Sequence, residues 1–142
     1  MNFLVDYQSR CVSVKYAPAK GTAIVCMHGK LEDGPELEGY LDAIRQIYAH
    51  GKPFVIMYNC LDVSWATVAF LQGQGKFMFE MAERTAEQMY AACVVLTPVI
   101  RHLLNIVFLV KQPACPFLAC ETIAEAQAFL RPHRARILAA HH

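Results

Sequence analysis

The chain has 142 residues, of which 56% are hydrophobic and 18% charged, with a net charge of +1. This is the length of one domain. It is too apolar for intrinsic disorder and too close to neutrality for the electrostatic footprint of a nucleic-acid or anionic-membrane binder. No apolar run reaches the roughly 18 residues that span a bilayer, and no secretory signal precedes the six cysteines, so a cytoplasmic protein with reduced thiols is expected.

In chain order, Phe3–Gln8 and Cys11–Tyr16 read as a hairpin. Val12, Val14 and Tyr16 alternate with Ser13 and Lys15, the period of a half-buried strand. A turn through Pro18 and Gly21 leads to Thr22–His28, a well-buried strand. A helix is expected from Pro35 to Ala49. Proline suits its first position, Glu36 and Glu38 complement its dipole, and Leu37, Leu41, Ile44 and Tyr48 form the buried stripe. Phe54–Cys60 is a continuous apolar run of the kind found in central parallel strands.

A long helix is predicted over Trp65–Met89, weakened in the middle by Gly73 and Gly75. A kink or a close contact is expected there. Ala91–Leu96 reads as a strand. Thr97 and Pro98 start a helix to Val110, Phe117–Cys120 reads as a short strand, and a last helix runs from Ile123 to Leu130. Pro132 is expected to interrupt it and leave a basic tail, residues 131–142, with Arg131, His133, Arg134, Arg136, His141 and His142. Strands alternating with helices imply an α/β fold. The expected architecture is a single mixed, mostly parallel sheet over residues 1–130, with an N-terminal antiparallel hairpin and about four helices.

Three stretches carry a family resemblance: Thr22–His28 with Gly29, Lys30, Leu31 and an acidic helix; GKPFVIMYNCLD at Gly51–Asp62; and Tyr90–Val110 with Phe117–Leu130. They resemble the STAS-like fold of anti-sigma-factor antagonists, and the single-domain bacterial proteins grouped with STAS and CRAL-TRIO domains. The resemblance covers about Thr22 to Leu130. In STAS antagonists a serine or threonine after an aspartate, at the N-terminus of the helix following the central strand, is phosphorylated by a partner kinase. Asp62-Val63-Ser64 is the matching position, which makes Ser64 the candidate phospho-acceptor. The family's adjacent Asp-Ser pair and following glycine are absent, and Trp65 stands there instead.

Ser64 is expected at a helix start, where phosphate meets free amides and the positive dipole end. The plainer reading is an N-cap serine. His28, Cys60 and Asp62 fall at the carboxyl ends of predicted parallel strands, the edge where such sheets bind ligands. A thiol, an imidazole and an orienting carboxylate are the parts of a nucleophile–base pair, but no nucleophile elbow accompanies them. The GQGK at Gly73–Lys76 lacks the spacing of a phosphate loop and is followed by Phe77. Cysteine and histidine spacings lack both halves of a zinc site, so no metal or cofactor is expected.

The apolar arc of Trp65, Phe70, Phe77 and Met81 is wider than one sheet contact requires. Together with a mean hydropathy of +0.28, it points to apolar surface left for association. The expectation is therefore a non-enzymatic, regulatory STAS-like module that docks to itself or to a partner protein. The alternative, implied by the CRAL-TRIO side of the resemblance, is a carrier of a lipid or another small hydrophobic ligand.

Overall fold

In the computed structural model, which describes residues 2–140, the hairpin forms first. β1 (Val5–Gln8) pairs antiparallel with β2 (Val12–Ala17), and β2 with β3 (Thr22–Leu31). From there the connections change character. α1 (Pro35–Ala49) carries the chain to β4 (Phe54–Ala66), α2 (Val68–Glu80) and α3 (Ala82–Gln88) carry it to β5 (Met89–Val95), and α4 (Pro98–Arg101) and α5 (Leu104–Val110) carry it to β6 (Phe117–Cys120). β3, β4, β5 and β6 are parallel neighbours. α6 (Ile123–Ala139) closes the chain.

The six strands lie in sequence order, β1 to β6. Parallel crossovers share one hand, and the strand order never reverses, so all three crossovers fall on the same face. There Tyr40, Ile44 and Ile47 of α1, Phe70 and Phe77 of α2, and Ile100 and Val107 of α4 and α5 pack on Val25, Ile56 and Val94 of the sheet. α6 follows the last strand and is free to take the other face. It lays Ala126, Leu130 and Ile137 on Val55, Met57 and Cys93. The second face of β2 and β3 stays open, with Lys15 and His28 exposed and Ile24 39% exposed.

The α/β class, the mixed sheet and the hairpin agree with expectation. Four boundaries do not. First, β4 does not stop near Cys60. It stays paired with β3 to Ala66 by taking up two extra residues: Cys26 faces Asn59 but His28 faces Asp62, and Gly29 faces Val63 but Lys30 faces Trp65. Such bulges keep a ladder going past an irregular stretch.

Second, the expected Trp65–Met89 helix is two helices, joined at Met81 (φ −98°, ψ 12°), and it gives way to β5 at Met89. The break is not at the glycines. A Cβ on Gly75 would lie 2.6 Å from Val110 Cβ and 2.8 Å from the Val107 carbonyl oxygen, so glycine there lets α2 and α5 touch. Third, the helix expected to Val110 is likewise split into α4 and α5; with α1 and α6 this makes six α-helices among the described residues.

Fourth, Pro132 does not end α6. It removes one N–H bond, but the helix beyond it is held by packing. Ile137 is 1% exposed and lies so close to Gly21 that a Cβ there would be 2.8 Å from its Cγ2. The Arg136 guanidinium sits 4.7 Å above the Tyr90 ring, a cation–π contact. Residues 131–139 are thus helix rather than tail; His141 and His142 lie outside the described residues.

Candidate functional site: the carboxyl edge and the cavity beneath it

The carboxyl ends of β3 and β4 meet the starts of α1 and α2. The Thr67 N–H donates to the Leu31 carbonyl at 2.9 Å, locking the two strand ends together. The next residues are helical, and Thr67 Oγ1 accepts the Phe70 N–H at 3.2 Å, satisfying one of the free donors of the first turn. On the other side of the edge, Glu36 in the first turn of α1 accepts from Ser9 Oγ at 2.8 Å and from the Cys11 N–H at 2.6 Å. α1 is thereby tied to the β1–β2 turn.

The position expected of Ser64 is corrected by this geometry. Ser64 is the extra residue of the second bulge, exposed on β4 and three residues ahead of the helix cap. The free amides it was expected to adjoin belong to the helix that Thr67 caps.

His28 and Asp62 are register partners, and both are exposed. Cys60 is not with them. Cys60 belongs to the face packed under the crossover helices, alongside Ile56 and Val63. His28 alternates away from Val25 and Met27, which join that same core. The sheet therefore separates thiol from imidazole. Burial pushes the Cys60 thiol up to about 12, with a smaller contribution from Cys26, so it is a protonated core group rather than a nucleophile. Among the described residues no three His, Cys, Asp or Glu side chains gather as a cation site.

The expected apolar surface also divides. Phe70 and Phe77 are 3% and 5% exposed and form part of the core, and Met81 packs half-buried against it. Helical periodicity aimed them inward because α2 has two neighbours to fill, the sheet and α5. Trp65 does remain open at 50% exposed, and Val68, just beyond the cap, is 54% exposed. Of the expected arc, Trp65 alone stays open, beside Val68 at the edge; Phe79, Val99 and Leu109, which were not part of it, are exposed elsewhere.

Under this edge, between the sheet and α2, α4 and α5, lies a cavity of about 140 Å³. Its lining is mostly apolar, from Met27, Val63, Ala92 and Ile100 among others, with the polar side chains of Tyr40, Tyr58, Gln74, Thr85 and Gln112. Tyr40 Oη donates to Gln74 Oε1 at 2.7 Å and stands 3.4 Å from Tyr58 Oη. Burial first, and then their proximity to each other and to neighbouring groups, holds the Tyr40 phenol well above its usual range. Burial likewise raises Tyr58. Both are neutral hydrogen-bonding groups at any ordinary pH.

Sequence reasoning missed four of these residues. Thr67 carried a signal: a threonine directly before an apolar helical run is an N-cap signature. Tyr40 and Tyr58 sat within apolar patterns that do not distinguish a core ring from a cavity wall. Nothing local marked Gln74.

No family model and no curated protein sequence matches the chain. Solved structures do. One is an uncharacterised protein of the DUF3478 family with a SpoIIAA-like fold from Shewanella loihica PV-4, with TM-score 0.62 and 12% identity, covering 87% of this chain and 98% of that one. A second is the anti-sigma factor antagonist SpoIIAA in its unphosphorylated form, with TM-score 0.55 and 17% identity, covering 92% and 98%. A third is SiaC of Pseudomonas aeruginosa, with TM-score 0.53 and 12% identity, covering 84% and 99%. They support the STAS side of the resemblance and not its CRAL-TRIO side. At these identities the likeness is one of architecture: the chain has the SpoIIAA-like α/β fold.

Proposed function

We propose that the protein is a non-enzymatic regulatory module whose carboxyl edge docks onto a partner protein. The observation that carries this reading is the exposure of Trp65 and Val68 on either side of the Thr67 cap. Large side chains of this kind anchor interfaces, and a tryptophan left half in water at a sheet edge favours being covered. The separation of Cys60 from His28 by the sheet supports the non-enzymatic reading over a thiol–imidazole pair. The described helices include none long and apolar enough to cross a membrane.

The same geometry supports Thr67, in place of Ser64, as the site where charge controls docking. A phosphate on Thr67 would sit at the N-terminus of the 13-residue α2, near its free amides and positive dipole end. It would also change the surface between Trp65 and Val68.

Affinity capture from the source cells tests the reading, with wild type, Trp65→Ser and Val68→Ser compared in parallel. Proteins retained by wild type are expected to fall at least tenfold in both variants, and Thr67→Asp is expected to change the retained set while Ser64→Asp does not. Equal retention by wild type and both edge variants would contradict it.

A further inference from the structure

The cavity beneath the edge has a size and chemistry of its own. Its roughly 140 Å³ is close to the ~150 Å³ of an engineered apolar cavity that binds benzene, and well below the ~300 Å³ where pockets for larger ligands begin. The volume matches one ring. No charged side chain lines it, so a charged ligand would lose its hydration without gaining a counter-ion.

The polar end is under-used. The Tyr40 hydroxyl has one proton and two acceptors in reach, Gln74 Oε1 at 2.7 Å and Tyr58 Oη at 3.4 Å. The shorter, stronger bond takes it. That leaves the Tyr58 O–H with only the long approach to Tyr40. A buried donor without a good partner is costly, and a ligand oxygen would satisfy it. We propose that the cavity binds a neutral molecule of single-ring size, its apolar body among Met27, Val63, Ala92 and Ile100 and its one oxygen accepting from Tyr58. This goes beyond the docking reading and does not depend on it.

The test is a titration of the whole protein with benzene and with phenol, followed by NMR of the methionine ε-methyl groups. Met27 and Met78 line the cavity, whereas Met57 packs on the opposite face of the sheet. Saturable shifts at Met27 and Met78, with Met57 unmoved, are expected for both probes, and phenol is expected to bind more tightly. Filling the space with Ala92→Leu, or independently with Cys60→Leu, should weaken both probes at least tenfold in whichever variant keeps a native methyl spectrum. Tyr58→Phe should weaken phenol about five- to tenfold and leave benzene unchanged. The proposal is overturned if the Met27 and Met78 methyls do not respond up to the solubility limit of benzene. It is equally overturned if Met57 shifts in step with them, if the filled variants bind as well as wild type, or if Tyr58→Phe does not separate the two probes.

Discussion

Glu36 contributes to the acid limb of stability. Burial pushes its carboxyl up, but the Ser9 hydroxyl, the Cys11 amide and the nearby Arg10 charge together bring it below its usual value. A carboxylate depressed in the folded state stabilises the fold above its unfolded pKa, about 4.3, and that contribution is lost as pH falls through the lower folded value. Urea midpoints taken from about pH 6 down to pH 3 should fall on acidification in wild type. In Glu36→Gln they should start lower and fall less steeply. Cys60, held near 12 by burial, is predicted to react with iodoacetamide more slowly than an ordinary exposed thiol at the same pH; rapid modification of the folded protein would place it outside the core. The sequence showed a thiol, an imidazole and a carboxylate near two strand ends. Cys60 and His28 follow plain alternation to opposite sides; the side of Asp62 was not legible, because the bulge after Asn59 shifts the alternation of β4. Thr67 was legible in principle, since its role is local. The pairing of Glu36 with Ser9 and Cys11 joins residues 27 and 25 apart, and no local pattern announces it.

Within the elements, two glycines of α2 separate intrinsic propensity from packing. Gly73→Ala would meet only the Leu37 Cδ2 methyl, the far end of a flexible side chain, so the helix preference of alanine, about 1 kcal/mol, should largely survive. Gly75→Ala would press on the Val107 backbone and on Val110. It is expected to destabilise by about 1–3 kcal/mol despite the same propensity gain. Thermal unfolding of the two variants should therefore move in opposite directions or differ by several degrees. α6 gives a parallel case. Ile137→Ala removes a side chain that is 1% exposed and should cost about 2–5 kcal/mol; a loss under about 0.5 kcal/mol would mean that the segment after Pro132 does not pack. The helix starts at Pro35 and Ile123 and the strands at Phe54 and Phe117 were readable because caps, prolines and apolar runs mark them locally. The reach of β4 to Ala66 and of α6 to Ala139 was not. Each is an extension maintained by a distant partner, β3 in one case and Gly21 with Tyr90 in the other, against a local signal to stop.

At the scale of the molecule, a sheet wound in one direction leaves its faces unequal. Three crossovers crowd one side and a single helix covers part of the other. The crowded side explains why Phe70 and Phe77 of α2 are core, while Phe79 stays exposed. Apolar side chains remain exposed at several places, Phe79 of α2 and Leu109 of α5 among them, and Trp65 and Val68 are those that flank the Thr67 cap at the carboxyl edge. Trp65 is the only tryptophan of the chain, so its fluorescence reports on that edge alone. The most direct test of edge docking is the accessibility of Trp65 to acrylamide, measured before and after addition of a partner recovered by affinity capture. The account predicts strong quenching in the isolated protein and at least a severalfold loss of quenching in the complex. Quenching that is equally strong in the complex would contradict docking through this edge.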